Sequence, residues 1–283
     1  PVFTVEGKYT TRGWTEWTQG FQFGAHFLIY DATGDASFLD SGVRATLDYM
    51  APHVSHIGVH DHGFNNVSTY GNLRRLILEG RGGGHESLLP ACDIALKVSG
   101  AVQAARWTDL PGGTGYIHSF NGPHSLFVDT VRSCRSLMVA HVLGHALMGE
   151  GDRRFPLLER AAHHIRNTIK YNVYFGEGRD RYDTVPGRTV HESIFNLKDG
   201  AYRCPSTQQG YSPFSTWTRG LSWMALGAPE ELEFLRAFCP GEHPELEADL
   251  LRAARATADF FIDHGTALDG VTYWDTGAPG MAN

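Results

Sequence analysis

Cysteine is scarce and scattered in this chain: Cys92, Cys134, Cys204 and Cys239 are the only four in 283 residues, and none stands in a C-x-x-C spacing. Neither a disulfide framework nor a cysteine zinc site is signalled. Cys92 and Cys134 lie in helix-like apolar contexts and read as reduced, structural thiols. Nowhere do about eighteen apolar residues run uninterrupted, so no membrane span is signalled. The opening PVFTVEGKYTTRGW lacks the basic and apolar regions of a secretory leader. Because the chain starts on Pro1 rather than methionine, cytoplasm and periplasm both stay open as compartments. Lysine and arginine never run beyond a pair and the net charge is −7, which argues against nucleic acid and anionic membranes as partners. Three familiar motifs are missing as well. HVLGH (141–145) lacks the glutamate of a zinc-binding HExxH, GRGGGHES (80–87) lacks the Lys-Ser/Thr ending of a phosphate loop, and no G-x-S-x-G occurs. No metal and no cofactor is expected.

What is present is a globular composition, 42% hydrophobic and 19% charged, consistent with one domain over residues 1–283. Helical periodicity predicts helices over roughly 16–32, 36–51, 62–80, 86–106, 127–148, 155–174, 215–238 and 244–264. In the fifth, Phe127, Val131, Cys134, Met138 and Val142 form one apolar stripe; in the eighth, Leu250, Leu251, Ala254, Ala258 and Phe261 do so. Eight helices with short connections read as four stacked hairpins in an all-α fold. Two connections are long, 107–126 and 175–214, and loops of that length inside a compact domain are usually functional. Within the second, GRTVHESIFNLKDGAYRC could form a short hairpin across Leu197–Gly200.

The densest chemistry lies in TQQGYSPFSTWTRGLSWMALG (207–227). Gln209, Tyr211, Trp217, Arg219 and Trp223 cluster there around a helix start. Arginine forks onto carboxylates and aromatic faces stack on sugar rings, so the segment suits a carboxylated sugar. The competing reading is an amphipathic helix with core tryptophans and one arginine reaching to solvent. Two acids stand in unusual surroundings: Asp61 in IGVHDHGFNN and Asp129 in LFVDTVRSC. A protonated and an ionised carboxyl are the usual equipment for glycoside chemistry. Each acid could equally be a helix cap favoured by the helix dipole. The histidines around them, including His60 and His62, read mainly as polar core or cleft residues.

With these pieces together, the chain resembles the unsaturated glucuronyl hydrolases of glycoside hydrolase family 88 and, less closely, the unsaturated rhamnogalacturonyl hydrolases of family 105. The matching segments are WTQGFQFG (17–24), HDHGF (60–64), FVDT (127–130), GRTVHES (187–193), TQQGYSPFSTWTRGLSW (207–223) and DGVTYWD (269–275). The resemblance implies an (α/α)6 toroid of six hairpins, metal-free chemistry, and substrates ending in a 4,5-unsaturated uronic acid. It implies that Asp129 protonates C4 and then activates water for attack at C5, and that Asp61 holds substrate and tunes the donor. By the same resemblance His191, Gln209, Arg219 and Trp223 belong to the substrate site, with Trp17 and Trp217 as walls. Pairing of Arg219 with the substrate carboxylate is an inference from its chemistry alone.

Some features depart from that family. DHG replaces the commoner D-aliphatic-G after Asp61, and is expected to bring an extra histidine, His62, near the cleft. Only about four hairpins are readable where six are implied, so a C-terminal part is expected to be missing after Asn283. Two further readings stay open: another helical-toroid sugar enzyme, an epimerase or ordinary glycosidase, and a non-catalytic carbohydrate-binding protein.

Overall fold

The computed structural model describes residues 4–10 and 16–280. Its helices are α1 (Gln19–Thr33), α2 (Ala36–Tyr49), α3 (Ala51–Val54), a π-helical stretch (Gly63–Gly71) running into α4 (Asn72–Leu78), α5 (Leu89–Ala105), α6 (Thr130–Ser133), α7 (Arg135–Val142), α8 (Leu157–Asn172), α9 (Thr218–Phe238) and α10 (Pro244–His264). They form four hairpins in an arc of an α/α toroid. The inner row is α1, the π-helix with α4, α6–α7, and α9; the outer row is α2, α5, α8 and α10. The arrangement bears out the all-α toroid reading and its four visible hairpins.

Local chemistry sets the turns. Gly34 ends α1 in the left-handed region at φ 72°, and Asp35 then caps α2 by accepting a hydrogen bond from the Ser37 N–H at 2.9 Å. That two-residue turn makes the first hairpin antiparallel. The core lies between the rows in two main clusters. One joins α7–α10 through Met138, Ile165, Met224 and Leu250; the other joins α1, α2, α4 and α5 through Phe27, Leu39, Leu73 and Leu96. Glu86–Ala105 is apolar and long enough by composition to cross a bilayer, but Cys92, Leu96, Gly100 and Gln103 on α5 are buried against neighbouring helices.

Four expectations need correction. The expected helix 127–148 starts later and ends earlier, because Phe127 ends strand β5 (Ser125–Phe127), α6 begins at Thr130, α7 stops at Val142 and Ala146–Met148 is a strand. Its stripe also stops short, since Phe127, Val131, Cys134 and Met138 are buried while Val142 is exposed. Residues 107–117 of the long first connection form a hairpin of β3 (Trp107–Leu110) and β4 (Thr114–Ile117). The buried face of α10 runs through Leu246, Leu250, Ala253, Thr257 and Phe260, a different phase from the expected stripe. Polar Thr257 takes a core position because its hydroxyl donates to the Ala253 carbonyl at 2.7 Å. The second long connection does form the expected hairpin, β8 (Glu192–Phe195) with β9 (Tyr202–Ser206), and β8 pairs with β5.

The helices approach unusually closely at glycines. A Cβ on Gly63 would lie 2.5 Å from the Ser133 Cα, and one on Gly20 would lie 2.3 Å from the Asn65 Cα. Overpacking by one methyl in such a contact typically costs 1–3 kcal/mol. Gly63→Ala is therefore expected to destabilise the protein by about 2 kcal/mol, read as a drop in urea midpoint. An unchanged midpoint would show that the crossing is not tight.

Candidate active site

The Gly63–Ser133 crossing brings two helix starts together, and with them two acids. The Ser133 hydroxyl accepts from the Gly63 N–H at 2.8 Å and donates to the His60 carbonyl at 2.7 Å; Arg132 donates to the Gly63 carbonyl at 2.8 Å. Asp61 stands two residues ahead of the π-helix, a helix type often found at functional sites, and Asp129 is the N-cap of α6. Neither start is capped by a side chain. Neither carboxyl therefore makes a capping hydrogen bond, although Asp129 holds the N-cap position, and both are left for other work. Both are nearly withdrawn from solvent, Asp61 at 9% and Asp129 at 8% exposure.

Between them lies His60, 1% exposed. Its Nε2 is 3.6 Å from Asp61 Oδ1 and 3.5 Å from Asp129 Oδ1, longer than a charge-assisted hydrogen bond of ~2.8 Å. Asp129 Oδ1 has no closer hydrogen-bond partner. The Phe120 N–H points at His60 Nδ1 at 3.3 Å, so the hydrogen that faces the acids is on Nε2.

These neighbours pull the acids apart. Burial raises the Asp61 carboxyl, and the Asp129 charge adds to that against the effect of His60. Burial acts the same way on Asp129, but the His60 N–H that faces it and the nearby His191 outweigh burial and lower the carboxyl below its ordinary value. Asp61 is therefore the weaker acid of the two and Asp129 the more readily ionised, as expected when two carboxyls share a buried site. Burial opposes a second proton on His60, while both acids favour it and raise its pKa. That proton would have to displace the Phe120 N–H from Nδ1.

The cleft is lined by Trp17, His60, Asp61, Phe64, Phe120, Asp129, Gln209, Trp217, Arg219 and Trp223. Most of these side chains sit at or near the N-terminal ends of the inner helices, whose dipoles favour an anion there. Phe64 stacks on Trp223 with centroids 4.8 Å apart, and Trp17 meets Trp223 edge-on at 6.1 Å. The Arg219 guanidinium lies 4.7 Å over Trp217 and 5.6 Å from Trp17 and donates to Gln209 Oε1. Among the described residues it makes no ion pair. Its remaining donors therefore face the cleft without a carboxylate.

The loop carrying Gln209 is tied down from behind. Asp275, fully buried, accepts from the Tyr211 N–H at 2.9 Å, and Trp274 Nε1 donates to the Gln209 carbonyl at 3.0 Å. Buried Glu192 accepts from Ser125, Asn121 and Gln208, joining the loop of Phe120 to that of Gln209.

Seven of the eight residues singled out from sequence, Trp17, Asp61, Asp129, Gln209, Trp217, Arg219 and Trp223, share this lining. His191 sits just behind it, packed on Trp217 and Phe127 at 4.5 and 4.4 Å and accepting from the Gln208 N–H at 3.1 Å. His60, Phe64 and Phe120 are lining residues that were not singled out. His60 and Phe64 lay inside the quoted HDHGF, but Phe120 sits in a loop with no pattern of its own. His62 is a correction. It turns away from the cleft to Ser99 Oγ at 3.0 Å and the His56 carbonyl at 3.1 Å. Away from the cleft, His141, Cys239 and Glu242 bring donor atoms within 4.8 Å of one another.

Fold and cleft together define an α/α-hairpin toroid with a two-carboxyl centre at its inner-helix N-termini. In sequence the chain is similar to proteins named unsaturated glucuronyl hydrolase and unsaturated chondroitin disaccharide hydrolase. The chain is 25% identical over 280 residues to the unsaturated glucuronyl hydrolase of Bacillus sp. (strain GL1), covering 96% of this chain and 63% of that protein. It is also 25% identical over 287 residues to the unsaturated chondroitin disaccharide hydrolase of Streptococcus pyogenes serotype M1, covering 96% and 59%. The crystal structure of the Bacillus enzyme superposes with a TM-score of 0.74 at 22% identity, over 96% of this chain and 63% of that one. A mutant of the Streptococcus agalactiae enzyme, solved with dGlcA-GalNAc6S, gives 0.66 at 18%, over 98% and 60%. No family model matches the chain. The chain thus spans about three-fifths of the length of the curated relatives it matches.

The buried histidines outside the centre carry a stability consequence. Burial pushes His62 and His164 down to about 3, whereas an unfolded imidazole titrates near 6.5 (roughly). Below about pH 6.5 the unfolded chain takes up protons that the folded chain refuses, so stability falls with acidification. Each group adds a slope of about 1.4 kcal/mol per pH unit. Urea unfolding at pH 7, 6 and 5 should show a shallower decline in His164→Gln, by about one proton; an identical slope would contradict the assignment.

Proposed function

We propose that this chain carries the catalytic cleft of a glycoside hydrolase that releases a 4,5-unsaturated uronic acid from the non-reducing end of lyase-generated oligosaccharides. The observation that carries this reading is the pair of buried, uncapped acids, Asp61 and Asp129, both within 4 Å of one imidazole nitrogen in a cleft that also presents Arg219. Similarity to enzymes named for unsaturated glucuronides, over nearly the whole chain, supports it.

In this reading Arg219, aligned by Gln209 and stacked between two indoles, pairs with the uronate carboxylate. Trp17, Trp217 and Trp223 wall the ring, and His191 backs Trp217. Asp129 gives a proton to C4 while the C4–C5 double bond opens. As a carboxylate it then takes a proton from the water that attacks C5, so H and OH have added across the bond and Asp129 is restored. The resulting C5 hemiketal opens and the next sugar is released. Asp61 holds the substrate and tunes the donor.

The electrostatics of the cleft constrain this cycle, because the Asp129 carboxyl is held below its ordinary value and must gain a proton before it can give one. An incoming uronate carboxylate supplies the driving force, since a like charge disfavours an ionised neighbour. The full-length protein should abolish the ultraviolet absorbance of unsaturated disaccharides made from chondroitin, hyaluronan, heparin or rhamnogalacturonan. Asp129→Asn should lower kcat about 10³-fold, and Arg219→Lys should raise KM about tenfold by losing the two-pronged contact. Absence of turnover on every such substrate would sink the proposal. Turnover of saturated glycosides alone would favour an ordinary glycosidase.

A further inference from the structure

His60 is the buried polar group at the centre to which neither the sequence reading nor the reaction above gives a part. Its ring is held on three sides. Phe120 stacks on it at 5.8 Å and 13°, Phe127 meets it edge-on at 5.5 Å, and the Phe120 N–H directs itself at Nδ1. The backbone beneath is pinned as well, because the His60 carbonyl accepts from Ser133 Oγ at 2.7 Å and from Gln103 Nε2 at 3.0 Å. The ring therefore has little freedom to turn. Its one outward N–H, on Nε2, stands almost equally far from both acids, 3.6 Å from Asp61 and 3.5 Å from Asp129.

One N–H can make a strong hydrogen bond to only one carboxylate at a time, and it bonds an ionised oxygen more strongly than a protonated one. We propose that His60 is a positioning residue whose fixed Nε2–H is shared by Asp61 and Asp129 and holds whichever of them is ionised at a given stage. When Asp129 carries the proton for C4, the N–H serves Asp61. When Asp129 has given its proton up, the N–H serves Asp129 and aims the carboxylate that takes the proton from water. His60 itself neither gains nor loses a proton in this scheme. The inference rests on the hydratase reading of the two acids.

The charged and titratable groups facing His60 are Asp61, Asp129, Arg106, His118, His164 and His191. Burial pushes His118 to about 4 and His164 to about 3, and also lowers His191, so these three stay neutral near pH 7. Arg106 is cationic throughout. The acid limb of the pH profile therefore reports the coupled titration of Asp61, Asp129 and His60, whose own pKa the two acids raise.

Two substitutions separate positioning from packing. His60→Asn keeps an acceptor for the Phe120 N–H but removes the N–H at the Nε2 position; His60→Gln can return an N–H to that position. In His60→Asn the acid limb of kcat/KM is expected to move up by about one pH unit, because an ionised carboxylate has lost its donor, and kcat to fall at least tenfold. His60→Gln should restore the limb to within a few tenths of a unit of the original. Thermal unfolding checks that both variants are folded. A limb that stays in place in both folded variants, or that moves equally in both, overturns the inference. Failure of the unsubstituted protein to hydrate any unsaturated uronide instead overturns the functional reading on which it rests. Should His60→Asn fail to fold, His60→Gln decides: a displaced limb, or kcat more than tenfold below the unsubstituted protein, counts against the inference, and near-normal values support it.

Discussion

The contact on which the rest depends is the crossing of two helix starts at Gly63 and Ser133. There is no room for a side chain at Gly63, where a Cβ would sit 2.5 Å from the Ser133 Cα. Because the backbones touch, the residues just ahead of each helix are forced into one small space, and those residues are His60, Asp61 and Asp129. The Ser133 hydroxyl, the Gln103 amide and the Arg132 guanidinium fasten the crossing through hydrogen bonds to backbone groups at His60 and Gly63. Similar glycine contacts at Gly20 and Gly24 press α1 onto the π-helix, which carries Trp17 to the same cleft.

Packing of that kind has an electrostatic consequence. Two acids drawn out of water beside each other cannot both ionise without large penalty, and the low local dielectric makes each neighbour count for more. Here the difference between the acids comes from small asymmetries: Asp129 is nearer more imidazoles, while Asp61 has less to offset burial. The helix N-termini add a general preference for negative charge. In a cleft built in this way an added negative charge would rearrange the protons already present.

The glycines, aromatic residues and buried acids also explain why much of the design is supported from behind the lining. Asp275 and Trp274 reach across from the end of the described chain to hold the Gln209 loop, and Glu192 ties that loop to the one bearing Phe120. The DGVTYWD segment therefore works as scaffold: its tryptophan and aspartate bond the Gln209–Tyr211 backbone instead of lining the cleft. The same holds for His62, whose place next to Asp61 in sequence says nothing about direction. Successive residues ahead of a helix point different ways, and His62 finds Ser99 in the core.

Most of the helical segments (though not the true bounds of 127–148), the hairpin of residues 192–206, and the residue types that line the cleft are legible along the sequence. These are local matters: helical periodicity, turn chemistry and the side chains needed to hold a carboxylate can all be read along the chain. Tertiary structure decided the phase of the α10 face, where a threonine bonded to its own helix could be buried, and the hairpin hidden in 107–117. It alone decided that Asp61 and Asp129 are not spent as caps, that Phe120 joins the lining, and that His60 stands between the acids. Those facts depend on how closely two helices approach at Gly63, and distance between segments 70 residues apart is not written in either segment.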